Sequence, residues 1–414
     1  MKTKLTLSLI SALAATAAHG KGLYYVPNDT EASVPIQWTV GINATYDDNT
    51  SPTVPNVPGP AGLGFEDETI SLNPYVGMSF VSVTPQTTWD VYARLGVIYY
   101  LDEPEAVGSD DIYSQIRAGV NLTHRFNEQL RFVSRNFVSY ELEPDYSYGF
   151  ASTRQVSEYL YWQTDNSLGY RWTERFATYS GFQLTGLDYD NVPNADYFTW
   201  TIYNQFRYQV TPQSVLTASY RYSETSGDGI ASDSTNQYLL VGIEHRFSPS
   251  TILIANVGAQ LREVDGLGGD DSTNPYAELT LQTQVNQQFT IRGFLRYGVE
   301  DYDSVIGIAQ FDERQVLRIG ISGEYQVSQA LSIFGGVDYI DTSYESGRVG
   351  VVPIAVTGDE SLVNAYIGAS LKFTEYLTGT LSFNHTTSDG SAAIFGNTRD
   401  YDRNRISLGL SAEF

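Results

Sequence analysis

One short phrase recurs eight times along the chain and constrains the fold more than any other feature. It reads Val83-Thr84-Pro85, Phe126-Asn127-Glu128, Trp172-Thr173-Glu174, Val210-Thr211-Pro212, Phe247-Ser248-Pro249, Val285-Asn286-Gln287, Val327-Ser328-Gln329 and Phe373-Thr374-Glu375. An apolar or aromatic residue is followed by Ser, Thr or Asn, then by Pro, Glu or Gln. In seven cases Arg, Lys or Gln stands just before the apolar residue, from Arg125 to Lys372. Such phrases are tight polar turns between two alternating segments. The chain then stops at Glu413-Phe414, where a ninth turn would begin. Every second strand therefore ends at one level. A closed up-and-down barrel requires this, and a membrane interface gives a reason for the fixed level.

Alternation fills the space between the turns. Trp38, Val40, Ile42, Ala44 and Tyr46 alternate with Thr39, Gly41, Asn43 and Thr45. The same period of two runs through Trp89 to Tyr99, Leu253 to Leu261, Val363 to Phe373 and Ile406 to Phe414. Eighteen such segments can be read, starting near residues 36, 67, 88, 112, 129, 155, 175, 196, 214, 236, 251, 275, 289, 314, 330, 360, 376 and 403. Dropping one weak pair would leave 16. Most segments exceed the roughly 9–11 residues that a tilted strand needs to cross the apolar layer. Eight short turns alternate with nine longer connections rich in Asp, Gly, Asn and Pro, including 48–66, 143–152, 301–312 and 341–360. The expected fold is all-β: a transmembrane antiparallel up-and-down barrel with short periplasmic turns and long extracellular loops. A propeller shares the hairpin spacing, but its strands would not all carry one clean apolar face.

Composition agrees. The 414 residues carry a formal net charge of −24, which argues against nucleic acid as a partner. Cysteine is absent, which excludes disulfides and thiolate metal sites. Low charge with 31 Tyr suits aromatic girdles at two membrane interfaces. Residues 1–20 read as a secretory signal: Lys2 and Lys4, the apolar run Leu5 to Ala18, and the small-residue site Ala18-His19-Gly20. Residues 21–35 form an irregular periplasmic segment, and 36–414 the barrel.

Parity sorts the charges. After the signal only two Lys remain, against 20 Arg. Most Arg fall on the polar parity, where a lipid-facing cost of ~2–4 kcal/mol at the midplane is avoided. The candidates for lining a pore are Arg94, Arg117, Arg131, Arg135, Arg207, Arg221, Arg292, Arg296, Arg318 and Arg405, with Tyr159, Tyr161, Tyr203 and Glu244. Arg125, Arg171, Arg246 and Arg262 share that parity. Barrels of about 16–18 strands enclose an aqueous channel. The expected function is passive diffusion of small polar or anionic solutes. The alternative is a non-conducting structural or surface-adhesion barrel that displays acidic loops.

Acidic pairs such as Asp47-Asp48, Asp188 with Asp190, and Asp301 with Asp303 could hold divalent cations. No loop has EF-hand spacing, so solvated loops are the simpler reading, and neither metal nor cofactor is expected. Loop 341–360, with its apolar run Val349 to Val356, is the candidate to fold inward; a surface hairpin is the other reading. Asn384-His385-Thr386 with Ser388 has some likeness to outer-membrane phospholipases. However, His385 falls on the lipid parity and Thr387 stands where Ser is expected. His124 and His245 also lie on the lipid parity, so no catalytic base is nominated and no enzyme is expected.

Two stretches carry a family resemblance. The last strand, Arg405 to Phe414, resembles the terminal strand of bacterial outer-membrane proteins. Tyr46-Asp47-Asp48-Asn49, closing the first strand, is similar to the opening of a loosely defined family of outer-membrane β-barrel porins. The resemblance implies a Gram-negative-type outer membrane, contact with its lipids, recognition of the last strand by the barrel-assembly machinery, and a porin-like role for small polar solutes. Residues 143–152 are too short for the long third loop of general trimeric porins, which leaves oligomerisation open.

Overall fold

The computed structural model describes residues 20–21, 24–25, 33–50, 68–102, 110–142, 158–190, 196–228, 233–248, 250–265, 271–301, 305–306, 309–349, 352–353, 358–390 and 401–414. Eighteen long strands form one closed antiparallel barrel. They are β1 (Val34–Asp47), β2 (Thr69–Val83), β3 (Thr87–Tyr100), β4 (Ile112–Arg125), β5 (Leu130–Glu141), β6 (Tyr159–Arg171), β7 (Phe176–Tyr189), β8 (Tyr197–Thr211), β9 (Ser214–Gly227), β10 (Ser234–Ser248), β11 (Thr251–Val264), β12 (Ser272–Gln284), β13 (Phe289–Val299), β14 (Ala309–Gln326), β15 (Leu331–Val349), β16 (Gly358–Lys372), β17 (Leu377–Gly390) and β18 (Tyr401–Glu413). The alternative of 16 strands falls away. The alternation had located most starts to within a few residues; the largest difference is β14, which begins at Ala309 rather than near 314. Residues 1–19, which include most of the expected signal, lie outside the described residues. Gly20–Lys21 pairs with Tyr24–Tyr25.

Each strand pairs with its sequence neighbours, and β18 closes onto β1 from Glu413 opposite Thr39 to Arg405 opposite Asp47. Trp38 and Phe414 exchange both backbone hydrogen bonds, 3.1 and 2.9 Å, so the terminal residue completes the ring. Closure leaves no unpaired edge, the condition for a β-structure to sit in hydrocarbon.

The apolar parity forms the outer surface. Leu408, Val241 and Ile367 are about 60% exposed (62%, 61% and 59%), which would be costly in water and is expected against lipid. Aromatic residues mark both ends of this belt: Trp89, Phe126, Trp172, Phe247 and Phe373 beside the short turns, Tyr46, Tyr99 and Phe198 toward the long connections. The barrel spans a membrane.

The recurring turn phrase has a common local geometry. Its central residue accepts backbone hydrogen bonds from the returning chain, as Asx and Ser/Thr turns do. Asn127 Oδ1 accepts from the N–H groups of Gln129 and Leu130, both at 2.8 Å. Asn286 does the same for Gln288 and Phe289 at 2.8 and 2.9 Å. Thr173, Ser328 and Thr374 each accept two such bonds at 3.0–3.3 Å. Thr84, Thr211 and Ser248 accept one each, from Thr87, Gln213 and Ser250. The phrase recurs because every short turn needs a side-chain acceptor at that position.

Candidate functional site

The face opposite the apolar belt carries the arginines. Alternation along each strand fixes which side chains share it. The register aligns them across strands: Arg94 stands opposite Arg117, Arg125 opposite Arg131, and Arg296 opposite Arg318. Like charges directly opposite repel, so carboxylates must be interleaved.

They are. Arg117 forms a two-pronged pair with Glu141, at 2.7 and 2.8 Å. Arg207 meets Glu244 at 2.6 Å, both buried at 2% exposure, with Arg246 3.8 Å from the other oxygen. Arg221 meets Glu278 at 2.7 Å; Tyr276 and Asn256 donate to the same carboxylate at 2.9 Å each. Arg135 lies opposite Asp165, which accepts the hydroxyl of Tyr203 at 2.6 Å. The ring of Tyr203 lies over Gly181 on β7, where any Cβ would fall 2.6 Å from it. Glycine there lets the aromatic ring lie flat on the wall.

The remaining candidates divide by environment. Arg94 stacks over the Tyr75 ring at 3.7 Å and donates to the neutral Asn73 amide at 3.1 Å. Arg405 donates to Asn384 at 3.0 Å. Arg292 stands between Gln282 and Ser322, and Arg131 between Arg125 and Gly169. Tyr159 packs against Tyr189 with ring centres 5.6 Å apart, and Tyr161 against Phe137 at 6.0 Å. Arg207, Glu244 and Arg318 are buried within their ion pairs.

The end of β13 parts from β12 while staying paired with β14, where Val299 stands opposite Gln315 and the Glu300 N–H donates to the Arg314 carbonyl at 3.0 Å. β13 pairs with β12 only as far as Tyr297 opposite Ala277. Beyond it, Val299 bonds instead to the side chain of Gln260, two strands away on β11. The Val299 N–H donates to Oε1 at 2.9 Å, and Nε2 donates to the Val299 carbonyl at 3.0 Å. Gly298 makes this approach possible, since a Cβ would fall 2.7 Å from the Tyr276 ring and 3.1 Å from Gln260. Glu300 then accepts from Arg318 at 2.9 and 2.7 Å and from Arg314 at 3.2 Å. Asp301 reaches three strands: Arg262 of β11 at 2.9 Å, Ser234 and Asn236 of β10 at 2.7 and 3.1 Å, and Thr225 of β9 at 3.1 Å. Residues 298–301, still paired with β14, thus act as a strap that ties the end of β13 past β12 to β9–β11. Burial alone would raise the Glu300 carboxyl, but the Arg318, Arg296 and Arg314 charges outweigh it and hold it at about 2.

Several expectations change here. Among the described residues it is 298–301 that reach across neighbouring strands, while the described part of 341–360 is paired strand. β15 continues to Val349, which pairs with Val352, while residues 350–351 and 354–356 of the apolar run lie outside the described residues. Asp47 and Asp48 are not an open cation pair. Asp47 is paired with Arg403, and Asp48 accepts from the Asn404 backbone and amide at 2.6 and 2.7 Å. Asp301 is likewise committed to the strap. The three histidines of the barrel bond to lipid-parity neighbours: His124 to Thr87 at 2.8 Å, His245 to Ser214 at 2.9 Å, and His385 to Asn404 at 2.9 Å.

Two wall arginines escaped the sequence reading. Arg314 stands four residues before Arg318, and Arg403 two before Arg405, so parity alone could have assigned both. The turn of Asp301 into the barrel had no local signal beyond Gly298.

No family model matches the chain, and no curated protein matches it. Among solved structures it is similar to the outer membrane protein OpdK from Pseudomonas aeruginosa, with 11% identity over 92% of this chain and 99% of that one, at a TM-score of 0.48. It is similar to OccAB4 from Acinetobacter baumannii, with 13% identity over 94% and 100% of the two chains, at 0.44. It is also similar to a BenF-like porin from Pseudomonas fluorescens Pf-5, with 11% identity over 92% and 99%, at 0.47.

Proposed function

We propose that this outer-membrane barrel is a porin-like channel through which small polar or anionic solutes diffuse passively along an arginine- and tyrosine-lined wall. The observation that carries the reading is Arg94, a cation on the inner parity that donates to the neutral Asn73 amide and stacks on the Tyr75 ring. A passing carboxylate would exchange its water for guanidinium donors of this kind, which match its geometry. The paired arginines, Arg117, Arg207, Arg221 and Arg318, are structural: they hold the wall and the strap. The strap narrows the lumen on the side of β10–β12 and directs passage toward the opposite wall, where Arg94 and Arg405 stand. No general base is nominated, and the barrel acts as a conduit rather than an enzyme.

The test is solute flux into liposomes that contain the refolded protein. Small monocarboxylates should enter faster than neutral sugars of similar size. Arg94→Ser should reduce that preference several-fold while leaving neutral flux intact. Equal rates for both classes, unaffected by Arg94→Ser, would sink the anion reading.

A second reading rests on the depth of burial along the inner wall. Gln260, Asn236 and Arg314 are almost wholly buried, so part of the lumen is filled. If the filling extends across the barrel, the protein is a closed scaffold whose acidic loops serve adhesion, and liposomes containing it would be tight to every solute.

A further inference from the structure

Among the described residues, the middle of the outer belt is apolar or small except in one place. Ser134 and Asn136 on β5, Thr164 and Asn166 on β6, Ser180 on β7 and Asn204 on β8 all fall on the lipid-facing parity. They form one patch. Thr164 donates to Asn136 at 2.7 Å, and Asn166 donates to Thr164 at 2.8 Å. Asn136 donates to Ser134 at 3.0 Å, and Asn204 to Ser180 at 2.7 Å. Among the described residues, the corresponding middle positions of the other strands are hydrophobic or small, as in Val40, Leu95, Val257, Ile319, Val337, Ile367 and Leu408.

The depth of the patch limits what can meet it. Its residues lie four to seven positions from the short-turn ends of their strands. At the rise and tilt of barrel strands this is about 10–18 Å into the apolar layer. Water, lipid headgroups and soluble proteins do not reach that depth, and acyl chains offer no hydrogen bonds. Carboxamides keep hydrogen-bonding capacity there, because each offers two N–H donors and two carbonyl lone pairs and the patch's own bonds use only part of them. Only another membrane-embedded polypeptide can complete the set.

The structure assigns this patch as the contact face of a two-fold homodimer. The patch is neutral and carries donors and acceptors in the same groups, so it is complementary to a second copy of itself. Among the described residues there is one such patch at this depth. A symmetric pair places polar group against polar group, whereas a head-to-tail ring would press it against an apolar belt. Leu168 and Phe182, both exposed, flank the amides and would form the dry surround.

The natural absence of cysteine makes the test direct. Leu168→Cys, beside Asn166, and Ile367→Cys, on β16, are each expressed in the full chain and treated in native membranes with a short bis-maleimide. A band at twice the monomer mass is expected for Leu168→Cys and not for Ile367→Cys. Adding Asn136→Leu, Asn166→Leu and Asn204→Leu should reduce that band at least tenfold while the barrel still migrates as a folded species in unheated SDS. If the triple variant does not fold, Asn166→Leu alone is read in the same way. Monomer only, equal cross-linking at both positions, an adduct with a different protein, or a dimer that persists in the folded leucine variant would each overturn the assignment.

Discussion

Arg403 and Asp47, 356 residues apart in sequence, form a buried ion pair across the seam between the last strand and the first, with Nε 3.0 Å from Oδ1. The neighbouring contacts extend it: Asp48 accepts from Asn404, and the Asn49 amide donates to the Asp402 carbonyl at 2.9 Å. The Tyr-Asp-Asp-Asn phrase therefore locks the barrel shut at its loop end, while Trp38 and Phe414 lock it at the other. Removing one member of a buried pair leaves an uncompensated charge, which costs roughly 3–5 kcal/mol. Arg403→Ala should lower the unfolding free energy of the barrel in liposomes by about that amount. A loss within the error of the measurement would show that the seam is held without this pair.

The turn residues make a graded prediction. Asn286 caps two backbone donors, Thr211 one. A net hydrogen bond contributes about 0.5–1.5 kcal/mol. Asn286→Ala should therefore destabilise by about 1–2 kcal/mol and Thr211→Ala by about half as much, read in urea titrations of the barrel in liposomes. Equal effects would break the link between cap number and stability.

Gly298 controls the strap. A larger side chain there collides with the Tyr276 ring and with Gln260, which holds Val299. Gly298→Leu should release residues 298–301 from the wall and raise single-channel conductance. Arg262→Ala, which removes only the ion pair to Asp301, should raise it less. Unchanged conductance in both variants would mean that the strap does not narrow the path.

The strap should also resist acid. Glu300, past the end of β13, has its carboxyl held at about 2, below its ordinary value of 4.5, by Arg318 and its neighbours acting against burial. With the folded-state value depressed, protons favour the released form. The contribution of Glu300 is therefore full above about pH 4.5 and fades as pH falls toward about 2. Amide exchange in the strap should be constant from pH 7 to 5, once corrected for intrinsic rates, and accelerate only below. An earlier opening would place the controlling proton elsewhere.

The sequence revealed the barrel well because its signals are local and repeated. Period-two alternation from Trp38 to Tyr46 tells a strand and its two faces, and the Ser, Thr or Asn of each turn phrase tells where the chain reverses. The inner wall was legible through the same parity, as with Arg94, Arg117 and Arg221. Long-range pairing was not. Nothing local says that Val299 leaves β12 for the side chain of Gln260, nor that Asp47 finds Arg403 across the closed ring. The apolar run near Val349 suggested an inward loop. Pairing of β14 with β15 as far as Gln310 opposite Arg348 absorbs its beginning into a hairpin instead.

The central claim is an open, anion-preferring pore. It is tested most directly by single-channel recording of the refolded mature protein in a planar bilayer under a potassium chloride gradient. The account predicts stable conductance steps and a reversal potential of the sign set by chloride, shifted toward zero in Arg94→Ser. A folded barrel that passes no current, or one whose reversal potential has the sign set by potassium, would contradict it.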